Sequence, residues 1–541
     1  METPMLCGMK LFLKKFESGV KIQERKGGIP MSKRSTKSTC CLTLPLKTEK
    51  WQEDRLSKRF EIARQIYNTL VHAELKKLHR LEQTAAYRAN QTRIRELYQE
   101  KAQKSAEFRE CVKTRSKMLK EAGFSEYAFK SDIKTYYKHF KKNIGSSVAV
   151  HGIAPLVWTS FEKKLFRNGK KVHYKKPGDI HSLRGYSVAG KSGGAEIIFR
   201  RTYIEWKGLK LPLKCDPDNA YEREMLNYCV KYVRILKKPG KNKDHWYAQL
   251  SLEGKPVVKR DPSSMEAIHP VGHGPVGIDI GPQTIAYCAA SEVHLMELAD
   301  QVRNIEQEKR ILQRKLDRSR RATNPDNYAE DGTIRRGRKL TRNKSKRYRK
   351  TARQLAYLLH CQAETRKRQH NQLANHLLSL GDCFYVEDME WPALTHRAKK
   401  TEISEKTGKY KRKKRFGKSV ANKAPASLIQ ILKLKCETLD LPGVIEVPTS
   451  LRASQYNHQS DTYEKKTLSQ RWNQMPNGDK IQRDMYSAFL LQHCTPQLDG
   501  FDREALQRDY EVFRDLHHQT IQQLCTQPKT LASMGIRRSV S

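Results

Sequence analysis

Between residues 40 and 48 the chain reads C-C-L-T-L-P-L-K-T, an apolar–polar alternation that predicts a strand broken at Pro45. From Glu49 the period lengthens. Leu56, Phe60, Ala63, Ile66, Tyr67 and Leu70 recur at steps of mostly three and four, the spacing of one buried helix face. Helical, strongly charged sequence continues to about residue 167, with residues 86–120 rich in Arg, Lys, Gln and Glu. Over 136–166, Val148, Ile153, Trp158, Phe161 and Phe166 predict a second buried face. From 168 to 256 the texture turns to β, with strand-like runs at 195–200, 202–206 and 245–252 separated by turns such as K-K-P-G-K-N-K at 237–243. Short strands broken by basic turns predict a small antiparallel barrel. Trp206, Trp246 and Tyr247 are candidates there for base stacking, or for the barrel core.

Residues 261–274, with Pro, Gly and Ser, read as a linker. V-G-I-D-I-G-P-Q-T-I-A follows at 276–286, a short apolar strand that carries Asp279 and turns at Gly281-Pro282. Residues 293–380 read as mostly helical, with Ile305, Leu312 and Leu316 on one face and Leu355, Leu358 and Leu359 on another. Between those helices, 318–350 becomes dense in Lys and Arg. Such a run is ordinarily a solvated loop, and it would also serve to track phosphates.

Charge narrows the class of partner. The 541 residues hold 105 Lys and Arg against 58 Asp and Glu, a formal net charge of +47 spread along the whole length. A soluble surface needs far less, so the excess points to a polyanion, and nucleic acid is the expected one. No apolar run approaches the roughly 18 residues of a membrane-spanning helix, so no membrane is expected as a partner. The 12 cysteines stand singly apart from Cys40-Cys41, and no Cys-x-x-Cys occurs. That usage excludes a disulfide scaffold and fits a reducing cytoplasm. Residues 1–35 read as an extension, since Met31 offers a second start.

Asp279 then acquires partners. C-F-Y-V-E-D-M-E-W at 383–391 is another apolar strand that ends in carboxylates, Glu387 first. I-Q-R-D-M-Y-S-A-F-L-L at 481–491 places Asp484 at the start of an apolar-faced helix. Each alone has a bland reading: a turn aspartate, a strand-end glutamate, a helix-start aspartate favoured by the dipole. Together, on two strands and a helix start of a +47 chain, Asp279, Glu387 and Asp484 predict catalytic metal ligands. Two divalent ions about 4 Å apart need several oxygen ligands for phosphodiester hydrolysis, and Mg²⁺ takes hard oxygen donors.

These three segments resemble the RuvC-like motifs of the TnpB family and the compact type V CRISPR effectors: an Asp in G-I-D-x-G, a Glu after an apolar strand before Asp or Asn, and an Asp in R-D-x-x-x-A. The resemblance extends to A-R-Q-I-Y-N-T-L at 63–70, to the segment ending K-K-V-H-Y-K-K-P before residue 178, and to the basic helices at 310–375, covering about 45–500. It implies a multidomain α+β chain. Residues 36–50 and 169–270 would be a wedge-like β-barrel, 51–168 a helical recognition domain, and 275–448 with 480–541 an RNase H-like (RuvC) α/β nuclease domain. Residues 449–479 would be the counterpart of a zinc ribbon. They keep S-Q-Y-N-H and L-S-Q-R-W but contain no cysteine, and only His458 offers a ligand, so no structural zinc is expected. A metal-free hairpin held by Tyr456, Tyr463 and Trp472 is expected instead. The resemblance further implies a prokaryotic cell, a guide RNA, double-stranded target DNA, and cutting at one site with two Mg²⁺ ions. Monomer and homodimer both remain open. Two alternatives stand beside it: a guided DNA binder that does not cut, which would lack one or more of the carboxylates, and a transposase on a related fold.

Overall fold

The computed structural model describes residues 38–536, apart from 168, 189–193, 336, 338, 339, 398–400, 405–407, 409, 411–415, 468, 528 and 529. The extension at 1–35 and part of the basic run at 318–350 lie outside the described residues.

β1 (Thr39–Pro45) buries every second residue, Cys40, Leu42 and Leu44, and ends at its proline. The next helix starts at once. Glu49 and Gln52 close a capping box at the head of α1 (Lys50–Glu82), in which the Gln52 side chain accepts from the Glu49 amide at 2.8 Å. All six apolar positions of the predicted face are buried. Helices α2 (Ala85–Gln99), α3 (Ala106–Glu121) and α4 (Glu126–Tyr137) follow. A π-turn at Val148–Ile153 then leads into α5 (Ala154–Phe166). Phe129 packs edge-on against Phe161 at 5.2 Å and against Trp158 at 5.4 Å, which pins α5 to α4.

The β region has more strands than its sequence pattern shows. To the expected β3 (Ile197–Phe199), β4 (Tyr203–Trp206) and β7 (His245–Glu253) are added β2 (Ser182–Tyr186), β5 (Leu209–Pro212) and β6 (Val230–Lys238). They form an antiparallel sheet ordered β1-β7-β6-β2 and a β3-β4-β5 meander. Lys47 N donates to Pro212 O and Lys214 N to Pro45 O, while Glu196 N donates to Tyr186 O, so the two sheets share hydrogen bonds at both edges. Trp206 and Trp246 are buried, and only Tyr247 keeps exposed surface. Arg59 of α1 donates to the Trp206 and Lys207 carbonyls at 2.5 and 3.0 Å with its guanidinium over the indole, so these helices and sheets share one core.

The second half is built on a five-stranded sheet ordered β10-β9-β8-β11-β12: β8 (Pro275–Ile280), β9 (Thr284–Cys288), β10 (Val293–Glu297), β11 (Cys383–Glu387) and β12 (Gly443–Val447). β8, β9 and β10 are antiparallel neighbours, and β8, β11 and β12 run parallel. Residues 293–297, expected to begin a helical stretch, instead form the edge strand, because V-H-L-M-E alternates and pairs Val293 with Cys288 and Leu295 with Ala286. Helices α6 (Glu306–Thr323), α7 (Lys346–Leu380) and α8 (Pro425–Leu439) follow the strands as the chain runs on. Leu373 and Leu377 of α7 and Leu428 and Leu432 of α8 cover Val276, Ile278, Phe384 and Val386 on one face. The other face meets α9 (Arg483–Gln492) and α10 (Arg503–Thr526). Residues 449–479 hold one hairpin, Tyr456–Asn457 with Thr462–Tyr463, and the first strand of a second, in which Trp472–Gln474 pairs with Lys480–Gln482. Leu451, Ala453, Tyr456 and Met475 join the core under α9. Among the described residues no helix is long and apolar enough to cross a membrane.

One buried acid in the helical half gives a test of this packing. Glu74 of α1 is 1% exposed. Its Oε2 lies 2.8 Å from Lys77 Nζ, which also donates to Asp132 of α4. Burial pushes the Glu74 carboxyl from 4.5 up to about 7 against the pull of Lys77. The folded chain therefore holds this proton up to about pH 7, whereas the unfolded chain releases it near 4.5. The stability it contributes is complete below 4.5 and lost as pH rises through 7. Glu74→Gln is expected to match wild type in melting temperature near pH 4.5 and to exceed it increasingly towards pH 8, by at most about 3 kcal/mol. An advantage that fails to grow with pH would show that Glu74 is ionised throughout.

Candidate active site

β8 alternates by face. Val276, Ile278 and Ile280 are buried towards α7 and α8, so Gly277 and Asp279 point to the α9 side. β11 lies beside it in parallel register, with Cys383 against Pro275 and Val386 against Ile278. One residue further on, Glu387 comes opposite Asp279 at the carboxyl ends of adjacent strands, on the same face.

The third carboxylate arrives on a helix. Gln482 caps α9 by accepting from Met485 N at 2.8 Å, and Asp484 falls in the first turn. The helix can lie close on β8 because residue 277 is glycine: a Cβ there would stand 1.9 Å from Ala488 O and 2.4 Å from Gln492 N. This approach brings Ser487, one turn after Asp484, close enough to the Asp279 carboxyl to favour its ionised form.

The electrostatics follow from the crowding. Burial first, then the charges of Asp484 and Glu387, hold the Asp279 carboxyl well above the usual carboxylate range, with Arg483 and Ser487 pulling it back. Burial also raises Glu387. Asp484 is turned towards arginines: Arg483 donates to its Oδ1 at 3.1 and 3.2 Å, and Arg471 stands 3.6 Å from Oδ2. Arg483 also donates to the carbonyls of Gln470 and Thr467, which ties the hairpin segment to the start of α9.

The structure thus places Glu387 and Asp484 near enough for their charges to act on the Asp279 carboxyl. Among the described residues no group of three or more His, Cys, Asp or Glu side chains stands close enough to hold a metal ion. The donor chemistry itself suits a divalent cation: three carboxylates are hard oxygen donors, and the charges of two of them add to burial in raising the proton affinity of Asp279.

Four residues here escape a search for carboxylates. Gly277 and Ser487 were visible only as neighbours in G-I-D and R-D-M-Y-S, the serine recognisable by its i, i+3 spacing from Asp484. Arg483 reads as part of its motif, and Arg471 gives no signal at all. His458, the lone ligand type in the cysteine-free segment, is a core residue. It shares a 2.6 Å hydrogen bond with Tyr486 OH, and burial pushes its imidazole down to about 4. Tyr456 lies 4.9 Å from Tyr463 across the first hairpin, while Trp472 anchors the second through a bond to Gly535 O. The C-terminal helix secures the site from behind. Phe513 stacks on Phe489 at 4.3 Å, and His517 Nε2 accepts from the amide of the capping Gln482 at 3.0 Å.

No protein-family model and no curated protein matches the chain. Solved structures give 29 matching chains. One belongs to a cryo-EM structure of the Cas12f1–sgRNA–target DNA complex, 12% identical, with 85% of this chain and 99% of that chain covered and a TM-score of 0.41. Another belongs to a CRISPR-Cas12f ternary complex, 11% identical, with 83% and 82% covered and a TM-score of 0.23. Likenesses this distant leave the assignment to the residues themselves.

Gly277→Ala is expected to lose about 1–3 kcal/mol or more in denaturant unfolding, since the added methyl meets backbone, which yields less readily than a side chain. Unfolding at the wild-type midpoint would show that α9 does not rest on β8.

Proposed function

We propose that the chain is an RNA-guided, Mg²⁺-dependent endodeoxyribonuclease with a single RuvC-like site. The observation that carries this reading is the convergence of Asp279 and Glu387, on adjoining strand ends, with Asp484 at the head of the helix laid across them. A central β8 between antiparallel β9 and parallel β11, with helices on both faces, supports an RNase H-like reading of this half. Asp279, Glu387 and Asp484 are the residues that would hold the two ions. When bound, Mg²⁺ supplies an activated water and neutralises the leaving oxygen of the phosphodiester. Ser487 fixes the Asp279 carboxyl, while Arg471 and Arg483 orient that of Asp484. A guided binder that does not cut has no use for three carboxylates held together against their repulsion.

The guide RNA and the double-stranded target rest on the motif resemblance. The +47 charge supports a partner of this kind. In this scheme the edge-joined β-sheets are a small barrel that carries the RNA scaffold, and 51–168 holds the guide–target heteroduplex. Residues 449–479 handle the target strand without zinc.

Asp279→Ala, Glu387→Ala and Asp484→Ala are each expected to lower cleavage of target DNA about a thousandfold or more while nucleic-acid binding stays near wild type. Wild-type cutting by any one of them would sink the assignment. The purified protein should carry a defined RNA, and RNase treatment followed by repurification should abolish cutting. Equal cleavage after that treatment would favour the transposase reading.

A further inference from the structure

A groove of about 1160 Å³ runs between α6 and α7, away from the three carboxylates, and is closed at one end by the β6–β7 turn. Its two walls are single helix faces. On α7, Lys346, Arg349, Lys350 and Arg353 recur at i, i+3, i+4 and i+7, a cationic stripe about 10 Å long. Facing it, α6 presents Ile311, Leu312 and Lys315, and further along α7 Tyr357 and Leu358 continue the apolar lining. Lys241 of the β6–β7 turn adds a cation, and Arg353 donates to the neighbouring Asn242 carbonyl at 3.0 Å, so the groove bridges the two halves of the chain. Arg303 is matched by Glu308 at 2.6 Å. None of Lys241, Lys315, Lys346, Arg349, Lys350 and Arg353 has an ion-pair partner among the described residues. Six uncompensated cations in one groove are costly through mutual repulsion unless a polyanion is to lie there.

We propose that this groove is a track for a single-stranded stretch of nucleic acid, with phosphates on the α7 stripe and base faces on Ile311, Leu312, Tyr357 and Leu358. The apolar floor selects the single strand. A duplex offers phosphates but keeps its base faces stacked inside, whereas an unpaired strand offers both. Cations and apolar groups dominate the lining beside Asn242, Glu308 and Gln354, and phosphates and base faces are common to both strands, so DNA and RNA are held alike. The proposal rests on the reading of the chain as a nucleic-acid enzyme and extends it to a second site.

The test uses the full-length chain stripped of RNA, in EDTA so that cutting plays no part. Fluorescent oligothymidylate and oligouridylate of about 15 nucleotides are the probes, with a blunt DNA duplex and poly-glutamate for comparison. Lys346, Arg349 and Lys350 are exposed, so the triple glutamine variant leaves the core intact. It is expected to bind both strands about tenfold or more weakly and to lower the salt slope by about 2. Tyr357→Ala should weaken both about fivefold and leave inorganic polyphosphate binding unchanged. Cys361 lines the groove and is exposed, so bound oligonucleotide should slow its alkylation, read by peptide mass spectrometry. Unchanged affinity and salt slope in the triple variant, or Cys361 equally reactive with strand bound, overturns the proposal. So does protection by duplex or poly-glutamate but not by single strands. Failure here leaves the carboxylate assignment standing, and failure of the carboxylate variants leaves this binding standing.

Discussion

A backbone-to-backbone contact governs the second half of the chain. At Gly277 the strand and α9 approach so closely that the space for a Cβ is already filled by the Ala488 carbonyl and the Gln492 amide. Everything chemical depends on that proximity. It sets Asp484 and Ser487 over Asp279, while the parallel pairing of β8 with β11 sets Glu387 alongside. The C-terminal helix then clamps α9 from outside, through the Phe489–Phe513 stack and the His517 bond to the cap. A tail with no evident chemistry of its own thus holds the position of Asp484.

Electrostatics works against the site and for its ligands. Burial and the charges of Asp484 and Glu387 raise the proton affinity of Asp279, and two arginines draw Asp484 aside. Protein packing supplies the energy that holds these carboxylates near one another against that cost. The opposite imbalance appears between α6 and α7, where uncompensated cations face an apolar wall. The chain therefore carries two complementary charge imbalances, an acidic one at Asp279 and a basic one in the groove.

Much of the fold was legible where one face of an element is buried and the other solvated. The α1 stripe from Leu56 to Leu70 is buried at every position, and the capping pair Glu49–Gln52 marks its start. The π-turn and α5 bury Val148, Ile153 and Phe161 as their spacing indicates. β2 and β5 were not legible because they are only five and four residues long, and β6 because Lys and Arg break its alternation. β10 was masked by the helical sequence that follows it. The aromatics Trp206 and Trp246 offered two roles, and only the packing of α1 against the sheets assigns them to the core.

By itself the sequence determined the identity of the three carboxylates, the elements that bear them and the sign of the partner's charge. Those are local properties: an Asp or Glu at the end of an apolar run, an Asp in the first turn of a helix, a surplus of lysine and arginine. Tertiary structure alone decided that Gly277 is a contact surface, that Ser487 and Arg471 belong to the site, and that the cysteine-free segment shares the core under α9. It also decided that scattered cations of α6, α7 and the β6–β7 turn line one groove. These depend on which surfaces meet across long separations in the chain, and periodicity carries no record of a partner that distant.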